Sequence, residues 1–100
     1  MLSKKKIIKL LASNQSQLKQ MYPIKKMGLF GSFARSKQTE ESDVDILIEF
    51  EKPIGLFTFS RLQLTLSDML HNNVDLVTPN ALKPLIKDKI LDEVNWIEAS

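Results

Sequence analysis

The chain contains no cysteine. That excludes disulfides, thiolate catalysis and zinc sites built on sulfur, and it agrees with a cytoplasmic protein. Histidine is almost as scarce, with His71 the sole example. It follows an expected helix, where it reads as an exposed residue or a partner for the helix dipole, not as a catalyst. No apolar run approaches the roughly 20 residues needed to span a bilayer. Charge of one sign is also in short supply: the formal net charge is only +2. That is too small to indicate nucleic-acid binding, which would rest on scattered lysines alone. The Lys4-Lys5-Lys6 run reads as a solvated helix face. No internal repeat, linker or low-complexity segment interrupts the chain.

What is present suits one small domain over residues 1–100, and a hydrophobic content of 43% is enough for a core. The start, MLSKKKIIKLLAS, has the basic opening and apolar patch of a signal peptide. However, Lys9 breaks the patch, and Asn14-Gln15 stand where a small-residue cleavage site would be required. An amphipathic helix is the better reading. Ser3 is its expected N-cap, Ile7, Leu10, Leu11, Leu18 and Met21 its apolar stripe, and Pro23 its stop. Ile24 to Phe30 then reads as a strand, apolar enough at its end to lie centrally in a sheet.

The stretch with the most chemistry is Gly31 to Ile48, GSFARSKQTEESDVDILI. Gly31-Ser32 breaks the first strand, and Phe33-Ala34-Arg35 can open a short helix. Glycine lets backbone approach a phosphate, a helix N-terminus offers free N–H groups, and the Ser32 hydroxyl adds a donor. Phe33 is expected in the core. Ser36 to Ser42 is a polar, exposed loop, and Asp43 to Phe50 is a second strand. Side chains on a strand alternate faces, so Asp43 and Asp45 point the same way with Cα atoms about 6.5 Å apart. Val44, Ile46 and Ile48 point into the core. Two carboxylates on one face repel unless a cation lies between them. Hard oxygen donors suit Mg²⁺, which favours carboxylates combined with substrate phosphates, and two metals can share such a pair. Glu49 falls on the same face further along and reads as exposed structure.

The pattern GSFARS…SDVDILIEF resembles the GSxARG…SDxDLLVxF signature of minimal nucleotidyltransferases, the smallest members of the polymerase-beta-like nucleotidyltransferase superfamily. Several fixed positions make it far more specific than a lone glycine motif. Val74-Asp75-Leu76-Val77 is similar to the family's later strand with a third carboxylate, so the resemblance covers nearly the whole chain. One departure is Ser36, where the family usually has glycine. The resemblance implies an α/β (α+β) fold with a small mixed sheet of three to four strands flanked by helices. It implies transfer of AMP from ATP to an acceptor hydroxyl, with Asp43, Asp45 and Asp75 as catalytic residues and ligands of one or two Mg²⁺. Asp75 would also draw the acceptor proton away. Gly31, Ser32, Arg35 and Ser42 are the implied nucleotide-binding residues. By structure alone, Arg35 would pair with Glu40 or Glu41, and Ser42 would shape the approach to the second strand.

After a Pro53-Ile54-Gly55 turn, Leu56 to about Leu70 reads as a helix with Leu56, Phe59, Leu62, Leu66, Met69 and Leu70 inward and Arg61 and Asp68 on the surface. Val74 to Val77 is a short strand. If it lies beside the second strand, Asp75 can join the aspartate pair; parallel pairing through the helix and a mixed sheet are both open. A last helix is expected from Leu82 to about Ile97, kinked near Pro84, with Leu85, Ile86, Ile90, Leu91, Val94 and Ile97 as its apolar face. Trp96 can belong to the core or to a partner surface.

So short a chain has little material for an acceptor site, which suggests that the acceptor lies on another protein. Within the family, such chains often act as antitoxins beside a HEPN-type ribonuclease toxin, and a toxin tyrosine is then the leading acceptor. An oligomer with that partner is compatible, and no membrane is involved. The rival reading is a non-catalytic antitoxin or nucleotide-binding module that masks its partner by direct contact.

Overall fold

The computed structural model describes residues 2–98. Helix α1 spans Lys4–Met21, and its N-cap is Ser3, whose side chain accepts a hydrogen bond from the Lys6 amide. It ends as Tyr22 turns extended ahead of Pro23. Its inward stripe is Ile7, Leu11, Gln15 and Leu18. Leu10 and Met21, expected inward, face out, because the spacing of 4, 4 and 3 residues selects a line that leaves them at its margin. Gln15 takes a core place, its amide nitrogen 3.4 Å from the Ile97 carbonyl.

Strands β1 (Ile24–Phe30) and β2 (Val44–Phe50) pair antiparallel. Helix α2 (Leu56–Leu70) carries the chain over to strand β3 (Val74–Val77), which pairs parallel with β2. Such a crossover is what parallel neighbours require. On α2 the buried residues are Leu62, Leu66 and Leu70, while Phe59 and Met69 pack at the margin. Leu56, expected inward, is exposed at the first turn. His71 closes α2 in the left-handed conformation, exposed as expected, with its amide bonded to the Ser67 carbonyl.

The end of the chain departs from expectation. The residues after a single turn at Pro79–Ala81 form helix α3, which covers only Pro84–Glu93, with Pro84 in its first turn. Val94 is already extended, and Asn95–Trp96 is a fourth strand, β4, antiparallel to β1. The sheet is therefore mixed, in the order β3-β2-β1-β4. The described residues thus form an α+β arrangement of four strands and three helices, with the small mixed sheet that the sequence led one to expect. Close approach decides the ending: at Gly28 an added Cβ would lie 2.6 Å from Val94 and 3.0 Å from the Asn95 carbonyl. The bare glycine lets β4 lie against β1, and the sheet hydrogen bonds replace further helix. The expected apolar face of α3 shrinks accordingly. Ile90 is buried, Ile97 enters the core from beyond β4, and Leu85, Ile86 and Leu91 are exposed.

Two apolar clusters flank the sheet. One joins α1 and α2 to Met27, Leu29, Val44, Ile46, Ile48 and Leu76. The other is smaller, with Phe30 and Leu47 against Ile90 and with Val77, Leu82, Val94 and Trp96 around them. So β1 and β2 are covered on both faces, as the first strand's composition suggested. Among the described residues no helix is long and apolar enough to cross a membrane.

Candidate active site

The site lies where β1 ends and β2 and β3 begin. Asp45 on β2 is the register partner of Phe30 on one side and of Asp75 on the other. Register partners share a face, so Asp45 and Asp75 stand side by side. Asp43 immediately precedes β2, exposed, and its field reaches Asp45. The parallel register thus puts Asp45 and Asp75 together at one end of the sheet, and Asp43, expected as the first residue of the strand, stands just ahead of it and within reach of Asp45's field.

Electrostatics follow from that crowding. Asp45 is raised from an ordinary 3.8 to about 6, first because burial disfavours its charge, then because Asp75 and Asp43 repel it. Arg35 pulls the other way. The donor set is all carboxylate oxygen, which suits Mg²⁺. Among the described residues, no three acids close into a formed metal cage. That is compatible with Mg²⁺, which takes one or two carboxylates and completes its shell with water and phosphate oxygens. The residues present fit such an ion.

Gly31 follows Phe30 with φ +80°, a region that favours glycine. A Cβ here would collide with the Asp45 carboxylate. The backbone therefore passes in contact with the acid. The next residues wind once. The Arg35 amide donates to the Gly31 carbonyl at 3.2 Å, and the Lys37 amide donates to the Ser32 carbonyl at 2.9 Å. This is a turn and not the expected short helix. Ser36 swings to φ +55° and closes it after one winding. The turn hence offers individual N–H groups and side chains, without a helix dipole. Buried Phe33 and Ala34 fasten the turn to the core, leaving Ser32 half-buried and Arg35 exposed.

Ser42 shapes the loop. Its hydroxyl accepts from the Thr39 amide at 2.8 Å, and its carbonyl accepts from the Asn72 side chain at 3.1 Å. The Val44 amide next donates to the Asn73 carbonyl at 2.8 Å, which fixes where β2 meets β3. Glu49 stays out of the site and pairs with Lys26 at 3.2 Å. Lys26 in turn lies 4.1 Å over the Trp96 ring, so Trp96 packs on the sheet at its half-buried edge.

One residue of the site escaped the sequence reading. Arg35 pairs with Glu93 at 3.1 Å, and not with Glu40 or Glu41, which lie exposed in the loop. Glu93 also accepts from the Gly31 amide at 3.2 Å. Fifty-eight residues separate Arg35 from Glu93, and the packing of Ile90 against Phe30 together with the unforeseen β4 holds the end of α3 near β1. No local pattern signals such a pair.

Comparison with known proteins agrees with this geometry. The nucleotidyltransferase domain pattern matches residues 14–97. A Methanocaldococcus jannaschii protein provisionally named a protein adenylyltransferase is 40% identical over 92 residues, 91% of this chain and 94% of that one. Protein adenylyltransferase MntA of Thermococcus cleftensis is 35% identical over 97 residues, 97% of this chain and 98% of that one. Among solved structures, a provisionally assigned minimal nucleotidyltransferase superposes with a TM-score of 0.73 at 31% identity, covering 89% of this chain and 93% of its own. An MNT antitoxin–HEPN toxin complex from Shewanella oneidensis, with the toxin tri-AMPylated, matches with a TM-score of 0.60 over 97% of this chain and 70% of that one; at 22% identity, this carries the fold alone. With the signature matched over most of the chain and the fold shared, the chain belongs to the nucleotidyltransferase domain family, among its minimal members, and is a nucleotidyltransferase.

Proposed function

We propose that this chain moves AMP from ATP to a hydroxyl, a tyrosine's, on a HEPN-type ribonuclease partner and so acts as its antitoxin. The observation that carries the reading is the register of Asp45 against Asp75, with the Gly31 backbone pressed on Asp45. Relatives named as protein adenylyltransferases and the toxin-bound fold neighbour support the reaction and the partner.

Asp43, Asp45 and Asp75 would hold Mg²⁺, which when bound neutralises the acidic face and the triphosphate together. The rest of the work falls to the chain. The Gly31 amide, the Ser32 hydroxyl and the Arg35 guanidinium orient the phosphates, and Ser42 keeps the loop that delivers Asp43. Asp75 is exposed on β3, an edge strand, where another protein's hydroxyl can reach it. It takes the proton as the acceptor oxygen bonds to the α-phosphorus. The bond from that phosphorus to the bridging oxygen breaks, and pyrophosphate leaves with the electron pair. Positioning and charge neutralisation supply most of the rate, as in phosphoryl-type transfers generally.

The test is to co-express the chain with its partner and weigh the partner by mass spectrometry. One or more AMP additions on a tyrosine, absent with Asp43→Asn, are expected. An unmodified partner that is nonetheless silenced would replace this reading with masking by direct contact.

A further inference from the structure

Glu93 occupies a position that helix energetics do not explain. It is the last residue of α3, where the negative end of the helix dipole disfavours a carboxylate. Its partners lie outside the helix. They are the Gly31 amide at 3.2 Å and one Arg35 nitrogen, 3.2 Å and 3.1 Å from its two oxygens. An anion is thus held by a backbone N–H and a guanidinium beside the Asp45 carboxylate. A carboxylate and a phosphate make the same charge-assisted bonds to such donors.

We propose that Glu93 is an internal competitor for the nucleotide: its carboxylate engages the donors that the ATP phosphates need, and ATP binds by displacing it. The inference rests on the nucleotide-binding role given above to Gly31 and Arg35. The construction favours exchange. The Arg35 and Glu93 side chains are 50% and 22% exposed, so the pair can part into solvent. Helix α3 is lightly held, with Ile90 its one buried residue and β4 only two residues long. Segments of that kind open at low cost. Engagement of Glu93 also adds a fourth negative charge to the acidic face, so its departure eases the approach of a triphosphate. While engaged, it lowers the fraction of chains competent to bind and weakens apparent affinity by that fraction.

The probe is α,β-methylene-ATP with Mg²⁺, which cannot react at the α–β bond, titrated calorimetrically into the full chain without partner. Glu93→Gln keeps shape and loses charge, and it should bind roughly 3- to 30-fold more tightly than wild type, the range expected when a competing charged hydrogen bond gives way to a weaker neutral one. Glu93→Asp, one methylene shorter, should shift the same way, and thermal melts verify that each variant is folded. In an Arg35→Ala background the gain from Glu93→Gln should shrink, because of the two shared donors only the Gly31 amide remains. Unchanged or weaker binding by both Glu93 variants, with wild type binding normally, would overturn the inference and make Glu93 a positioning residue for Arg35. A wild-type chain that binds no nucleotide at all would overturn the proposed reaction as well.

Discussion

At position 36 a serine holds φ +55°, in the left-handed region that costs an L-residue roughly 1–2 kcal/mol. Glycine relieves that strain but gains freedom in the unfolded chain, which offsets part of it. Ser36→Gly is therefore expected to stabilise the fold by about 0.5–1 kcal/mol, raising the melting temperature by a few degrees; a melting temperature below wild type would refute the strain. Asp45 carries strain of another kind. With its carboxyl raised to about 6, the folded chain keeps a proton that the unfolded chain releases near 4. Stability therefore falls as pH climbs from about 4 to 6, and the loss is complete above that window. Asp45 is partly solvated, so the cost is discounted to about 1 kcal/mol. In chelator, Asp45→Asn should out-melt wild type at pH 7 by about this amount and lose the advantage near pH 4. An equal advantage at both values would show that charge is not the cause. These residues also show what a sequence discloses. Strand periodicity fixes the facing of Asp45 and Asp75 within β2 and β3, while grouping them with Asp43 at one site is what the family resemblance implies. The place of Glu93 is not legible, because its partners Gly31 and Arg35 are remote from it in sequence.

Between Lys4 and Val77 the elements follow local signals: a serine cap, a proline stop, helical stripes and alternating strands. The C-terminal element does not. A two-residue strand has no periodicity to read, and the sequence through Ile97 continues a plausible helical stripe. Tertiary contact overrides it, because Gly28 leaves room for Val94, Asn95 and Trp96 against β1. The same glycine provides the element-scale prediction. Gly28→Ala forces a methyl into Val94 and the Asn95 carbonyl, and overpacking of this kind costs about 1–3 kcal/mol. Urea denaturation should register that loss, with faster hydrogen exchange at the Ile97 amide, which donates to the Met27 carbonyl. Full stability and protection in the variant would mean that β4 does not depend on the bare backbone. Position 31 differs in kind, since there the absent side chain makes room for Asp45 and not for another strand.

For the whole molecule, a net charge of +2 hides an uneven distribution. Lysines gather early in α1, while Asp43, Asp45, Asp75 and Glu93 meet at one end of the sheet. The molecule is a small platform that holds acids at an exposed edge of its sheet, where the proposed reaction brings in the partner's hydroxyl. The fold class could be read from the sequence, but the pairing of Arg35 with Glu93 from the chain's last segment could not. The decisive measurement is label transfer: the chain, Mg²⁺ and its partner with ATP labelled at the α-phosphate, beside ATP labelled at the γ-phosphate and the Asp43→Asn variant. Label on the partner from the α position alone, absent with the variant, is the predicted result. Label from the γ position, or α label undiminished in the variant, would contradict AMP transfer at this acidic face.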